Sequence, residues 1–263
     1  MVGKSSASQK GTSTKFKIAY AIFVVAWAAI AMLTGQYVVA LFLQILVGKA
    51  VSTPIWTLIY YILSYSATLG LIIWLPARVW RVYQTRKKSS DKVKNKLAAE
   101  AVDTDIEELG MQTWPTLVDI GLVPVAYVIY TVVGNIVQEI MKGFSWFNAD
   151  QAQNVGFGYF ITGWEQFAAV IAIVFVAPIA EEIIMRGWVY GKLRRRLHVV
   201  VAMLLTSVLF GALHGQWNVA VTTFVLSMIL CGLREITGTI WSGILLHMLV
   251  NSIAFYILYI AAL

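Results

Sequence analysis

The chain has 263 residues, of which 59% are hydrophobic and 13% are charged, and its formal net charge is +7. Soluble domains are about 45–50% apolar and about 25% charged. The composition therefore excludes an ordinary soluble domain and indicates an integral membrane protein. The apolar runs are about twenty residues long and do not alternate with polar residues, which favours spanning helices over a β-barrel. The single cysteine, Cys231, excludes an intramolecular disulfide and a cysteine-based metal cluster.

The positive charges lie in two clusters that flank apolar runs. Basic residues crowd the segment 78–96 and the shorter segment 192–196. Beside membrane spans, such clusters mark the cytoplasmic face more often than they bind nucleic acid. The expected partners are therefore membrane lipids, and no nucleic-acid partner is expected.

The N-terminal part of the chain contains two predicted spans. Residues 1–14 are polar and are predicted to be a disordered cytoplasmic tail. The first span covers about 16–34, and a shorter apolar piece follows at 38–47. About ten residues are few for a crossing, so this piece is either an extension of the first span or a re-entrant or interfacial segment. The second span, at about 55–75, completes the N-terminal transmembrane region at 15–77.

A soluble connector at 78–114, basic first and then acidic, precedes a predicted helical core at 115–263. Five further spans are predicted in or near this core, at about 117–137, from about 166 onward, and at about 199–213, 219–233 and 240–260. The predicted fold class is all-α, a polytopic helical membrane protein with about seven transmembrane helices. Because the basic tail and the basic connector should share one side, the N-terminus is predicted to be cytoplasmic and the C-terminus outside. The expected location is a membrane, the cell membrane if the source is bacterial.

The stretch "APIAEEIIMRG" places three charged residues at the end of an apolar run. A charge at bilayer depth costs roughly 2.5–3.5 kcal/mol on insertion scales, so such residues are expected to be paired or functional. Glu182 and Arg186 are four residues apart and share a helix face, which predicts a structural ion pair. Glu181 points about 100° away from Glu182 and is left for another role. The alternative is that all three merely end the span at the interface.

Two of the three histidines lie in or at the end of predicted spans. Taken singly, each of them is most simply a hydrogen-bonded core residue. However, Glu181 lies sixteen residues before the basic turn at Leu197 and His214 lies seventeen after it, which predicts similar depths. His247 shares a helix face with Asn251, four residues on. Three separate helices are therefore predicted to bring a Glu, a His and a His–Asn pair to one layer.

These residues form three short motifs in order: E-E-x-x-x-R at 181–186, F-x-x-x-H at 210–214 and H-x-x-x-N at 247–251. In this arrangement the chain resembles the CPBP family of intramembrane endopeptidases, the CAAX protease and bacteriocin-processing (Abi) group. It is similar in particular to the type II CAAX prenyl endopeptidase. The resemblance covers about 105–260, so the first two spans lie outside it.

The resemblance implies hydrolysis of a peptide bond in a membrane-embedded or lipidated peptide. Glu181, the candidate base, and His214 would activate a water molecule, while His247 and Asn251 would stabilise the oxyanion. The residues expected to support these groups are Glu182, Arg186 and Phe210.

Two other hypotheses remain open at this stage. In the first, Glu181, His214 and His247 bind a catalytic zinc ion. A mechanism without metal or other cofactor is favoured, because H-E-x-x-H is absent and the amide of Asn251 is a weak zinc ligand. In the second, the protein is not catalytic and acts as a bacteriocin-immunity factor, a scaffold or a proton-coupled carrier.

Overall fold

The computed structural model describes residues 14–48, 53–79, 104–149, 151, 157 and 163–261. Within these ranges the regular structure is helical, and eight helices follow one another. They are α1 (Thr14–Val47), α2 (Pro54–Val79), α3 (Ile106–Leu109), α4 (Leu117–Met141), α5 (Trp164–Arg194), α6 (Val199–Ala212), α7 (Trp217–Thr237) and α8 (Trp241–Tyr259). The predicted all-α fold class is confirmed. Except for Thr14, the predicted tail lies outside the described residues, and so does the connector from residue 80 to 103.

Six of these helices are long and apolar enough to cross a membrane, namely α1, α2, α4, α5, α7 and α8. This confirms a polytopic helical membrane protein. The predicted number of seven needs one correction, because the fifth predicted span corresponds to α6, which has 14 residues. Such a helix is about 21 Å long, less than the roughly 30 Å of bilayer hydrocarbon. The orientation of the chain in the membrane stays a prediction.

The first predicted span and the apolar piece after it form one continuous helix. α1 runs for 34 residues through both segments, so the predicted extension is confirmed and the re-entrant alternative is wrong. At 1.5 Å per residue the helix is about 51 Å long. It must therefore tilt or project beyond the hydrocarbon region.

α5 lies at the centre of the packing and contacts α1, α2, α6 and α8. The main buried cluster is formed where Val24 of α1 and Phe210 of α6 meet Ile184 and Trp188 of α5. α7 packs against α6, α4 and α8. The α6–α7 pairing is close, since a Cβ atom at Gly211 would lie 2.6 Å from the carbonyl oxygen of Ala220. This hairpin fixes the end of α6, where the F-x-x-x-H motif lies.

The acidic end of the predicted connector is folded onto the core instead of being solvated. The Glu108 carboxylate is buried and accepts bonds from Lys192 Nζ at 3.0 Å and Arg195 Nη2 at 3.2 Å. Burial raises the pKa of the Glu108 carboxyl, while the two cations act in the opposite direction. Gly191 allows this approach, because a Cβ atom there would lie 3.2 Å from the Glu108 carbonyl oxygen. Part of the basic cluster at 192–196 therefore forms ion pairs within the protein.

Candidate active site

The predicted ion pair between Glu182 and Arg186 is present and fully enclosed. Arg186 Nη1 donates to Glu182 Oε1 at 2.8 Å, and neither side chain is exposed to solvent (0% each). The guanidinium carbon also lies 4.6 Å from the centre of the Phe210 ring, in a cation–π contact. The pairing prediction is confirmed, and the alternative that these charges only end a span at the interface is wrong for this pair.

Glu182 has a second partner, which comes from the last helix. His247 Nδ1 lies 3.1 Å from the same Oε1 atom. An ionised carboxylate only accepts hydrogen bonds, so the Nδ1 atom carries the hydrogen and the Nε2 atom points elsewhere. The approach of α8 depends on Gly243, where a Cβ atom would lie 2.9 Å from Glu182 Oε2. Glu182 thus fixes both the position and the tautomer of the His247 ring.

Glu181, the predicted base, faces different partners from its neighbour. Its Oε2 atom lies 3.7 Å from His247 Nε2, and 13% of its side chain is exposed. Its Oε1 atom accepts a hydrogen bond from the hydroxyl of Tyr65. The imidazole of His247 therefore lies between the two adjacent carboxylates, and of these two side chains only that of Glu181 is partly exposed.

Tyr65 is the residue at this site that sequence reasoning missed. It belongs to α2, which lies outside the predicted resemblance. A signal was available, because polar side chains recur along α2 at helical spacing: Thr57, Tyr61, Ser64, Tyr65 and Thr68. A repeated polar stripe in an apolar helix indicates a face turned towards protein instead of lipid.

His214 packs against the ring of Phe210, which also contacts His247 of α8. The centre of the Phe210 ring is 4.9 Å from that of His214 and 5.8 Å from that of His247, both in edge-to-face geometry. His214 Nδ1 lies 2.7 Å from the Phe210 carbonyl oxygen. A carbonyl only accepts, so Nδ1 carries the hydrogen and Nε2 of the neutral ring is an acceptor. His214 forms no direct hydrogen bond or ion pair with Glu181, so the predicted cooperation of the two requires a molecule between them.

Asn251 joins α8 to an irregular stretch of α5. Its Nδ2 atom donates to the carbonyl oxygen of Ile173 at 2.9 Å. That carbonyl lies in a π-helical stretch where the Ala177 amide bonds to the Ala172 carbonyl. Pro178 follows and has no amide hydrogen to offer. Asn251 therefore satisfies a carbonyl that the helix itself leaves without a donor, and one of its two amide hydrogens is engaged in doing so.

The predicted zinc alternative does not fit this arrangement. The described residues include no group of three or more His, Cys, Asp and Glu side chains placed to hold one metal ion. Glu181 and His247 lie close together, whereas the Nδ1 atom of His214 is engaged with the Phe210 carbonyl oxygen.

The comparison with known families supports the resemblance that the three motifs predicted. Residues 163–253 match the family described as type II CAAX prenyl endopeptidase Rce1-like. The matched segment contains all three motifs and leaves out α1 to α4, and with them Tyr65. No curated protein and no solved structure matches the chain. The predicted family resemblance is confirmed for this segment.

Replacing Arg186 by methionine is expected to destabilise the protein by about 3–5 kcal/mol, because the Glu182 carboxylate would stay buried without its cation. The matched control is Arg194→Met, since the Arg194–Glu235 pair is about one-third exposed and such pairs contribute roughly 0–1 kcal/mol. Denaturant titration of the purified protein in detergent measures both free energies of unfolding. An equal loss of unfolding free energy in the two variants would contradict the structural role of the buried pair.

Proposed function

We propose that this chain, whose residues 163–253 form a domain of the Rce1-like type II CAAX prenyl endopeptidase family, is an intramembrane endopeptidase. Its substrate is a membrane-embedded or lipidated peptide. The observation that carries the proposal is the Glu181 side chain, which is 13% exposed, lies among apolar helices and faces a histidine whose tautomer is fixed. Membership of this family suggests proteolysis, and the geometry suggests how these residues perform it.

Glu181 acts as the general base. A water molecule between Glu181 and His214 gives a proton to the carboxylate as its oxygen attacks the peptide carbonyl carbon. The Nε2 atom of His214 accepts the second hydrogen bond of this water, because Nδ1 is engaged with Phe210. Two acceptors orient the water's lone pair towards the substrate, which is the geometric requirement for general-base catalysis.

The developing oxyanion faces His247. The C=O electron pair moves to the carbonyl oxygen during attack, so the negative charge leaves Glu181 and appears on the substrate. Because Nδ1 keeps its hydrogen against Glu182, His247 Nε2 carries a hydrogen only when the ring is an imidazolium. In that form Nε2, which lies beside Glu181 Oε2, donates to the carbonyl oxygen of the substrate. The sequence-derived second donor, Asn251, has one amide hydrogen left for this purpose.

Collapse of the tetrahedral intermediate completes the reaction. The C–N bond breaks as Glu181 returns its proton to the leaving amine nitrogen, and the carboxylate is regenerated. Water is consumed and two peptide fragments are released, so no other reactant is needed. Glu182 and Arg186 keep His247 in place throughout and do not exchange protons with the substrate.

Glu181→Gln is expected to lower peptide release by about 10²–10⁴-fold, because the amide cannot accept the water's proton. The matched control is Glu139→Gln, which changes an exposed carboxylate in a surface pair with Lys142. Mass spectrometry of membrane peptides from cells that carry each form identifies the products.

Peptides that depend on the unaltered protein and on Glu139→Gln, but are lost in Glu181→Gln, support proteolysis. Identical peptide pools in all three strains would instead support the non-catalytic alternative, an immunity factor or a scaffold.

Treatment with a chelator is expected to leave the activity of the purified protein unchanged, because water activation is assigned to Glu181 and His214. Cleavage of a peptide identified in the previous comparison is measured before and after dialysis against EDTA, and elemental analysis verifies that zinc is removed. Loss of cleavage that added zinc restores would reverse the assignment in favour of the metalloprotease alternative.

A further inference from the structure

Tyr65 occupies a position from which it can serve two acceptors in turn. Its hydroxyl donates to Glu181 Oε1, while His247 Nε2 lies 3.7 Å from Oε2 of the same carboxylate. The two groups therefore flank the carboxylate, one at each oxygen. The proposed base thus has a phenol from α2 on one oxygen and an imidazole from α8 on the other.

We infer that Tyr65 supplies the second hydrogen bond to the oxyanion, beside His247. The inference rests on the proposed function, in which the negative charge moves from Glu181 to the substrate carbonyl oxygen. Once Glu181 has taken the proton, its Oε1 atom is a weaker acceptor and the phenol loses its anionic partner. Rotation about the C–O bond of Tyr65 then directs the hydroxyl hydrogen to the new anion. The same donor serves the ground state and the transition state without moving its ring.

The competing donor, Asn251, already has a structural task. The Ile173 carbonyl has no donor from its own helix, because Pro178 lacks an amide hydrogen and the Ala177 amide bonds to Ala172. Leaving that carbonyl unpaired in an apolar surrounding has a free-energy cost. This cost holds the Asn251 amide against α5. Tyr65 makes no comparable structural hydrogen bond. Among the described residues, its only hydrogen-bond acceptor is the carboxylate of Glu181, the proposed base.

The close contact between α1 and α2 fixes the position of Tyr65 along the helix axis. A Cβ atom at Gly35 of α1 would lie 3.1 Å from the Ser64 carbonyl oxygen and 3.2 Å from the Thr68 amide. These two positions lie on either side of Tyr65 along α2. The ring centre of Tyr61 lies 6.2 Å from the ring centre of Tyr65. The phenol is therefore held on a rigid helix, as electrostatic preorganisation requires.

The first test is Tyr65→Phe, which removes the hydroxyl and keeps the ring. The probe is a synthetic peptide that spans a cleavage site identified from the Glu181→Gln comparison. We expect kcat to fall by about 10²-fold with little change in KM, the effect of removing one oxyanion donor. Tyr60→Phe is the matched control, since Tyr60 lies on the same helix and its ring packs against Tyr61. An unchanged kcat in Tyr65→Phe would overturn the inference.

Asn251→Ala separates the two candidate donors. The inference predicts that this variant lowers the melting temperature, because the Ile173 carbonyl loses its donor, and that its kcat falls less than that of Tyr65→Phe. Loss of kcat in Asn251→Ala together with a normal kcat in Tyr65→Phe would assign the donor to Asn251 and overturn the inference.

A spectroscopic measurement tests the contact without any substrate. Infrared difference spectra between the unaltered protein and Tyr65→Phe isolate the phenol C–O band of Tyr65. Introducing Glu181→Gln into both should shift that band, because the anionic acceptor is lost, whereas Glu139→Gln should not shift it. An insensitive band would show that the phenol does not bond to the base, whatever the fate of the proposed proteolysis. An inactive Glu181→Gln with an active Tyr65→Phe would leave the protease proposal standing and remove only the role of Tyr65.

Discussion

The buried carboxylate of Glu182 is the constraint on which the rest of the site depends. Its Oε1 atom accepts from Arg186 on its own helix and from His247 on α8, with no exposure to solvent. An ionised carboxylate in an apolar interior is tolerated only when its partners stay in place. The two bonds therefore fix the separation of α5 and α8 at this level, and Gly243 provides the space for it.

This constraint also separates the roles of two adjacent, chemically identical residues. Successive residues on a helix point about 100° apart, so Glu182 turns towards α8 and its own arginine while Glu181 turns towards α2. The first carboxylate is paired with Arg186 and enclosed, whereas the side chain of the second is 13% exposed. His247 contacts both, which links the structural carboxylate to the proposed base through one ring.

Much of the fold followed from the sequence, because bilayer thickness requires long apolar runs and these are local features. The i,i+4 motifs predicted the Glu182–Arg186 pair for the same reason. Features that depend on partners distant in sequence were missed. The acidic run at 103–108 suggested a solvated connector, and only the packing of Lys192 over Glu108 shows why part of it is buried. The bounds of α6 were predicted closely, and only its assignment as a full span was wrong, because 14 residues are too few to cross the hydrocarbon region.

In the candidate site, too, local motifs were predicted from the sequence and contacts between distant residues were missed. Glu181, His214, His247 and Asn251 were predicted to lie near one layer, and the structure brings Glu181 and His247 together. The bond of Asn251 to Ile173 could not be predicted, since it depends on a π-helical stretch that leaves one carbonyl without a donor. Tyr65 was overlooked because α2 carries no recognisable motif, although its polar stripe was visible.

The most direct measurement of the central claim is solid-state NMR of the protein with isotope-labelled histidine in lipid bilayers. The chain has three histidines, so single substitutions assign every ring. The account predicts that His247 carries its hydrogen at Nδ1 and that Glu182→Gln shifts the His247 resonances, while Glu139→Gln does not. A neutral His247 ring protonated at Nε2 and insensitive to Glu182→Gln would contradict the account.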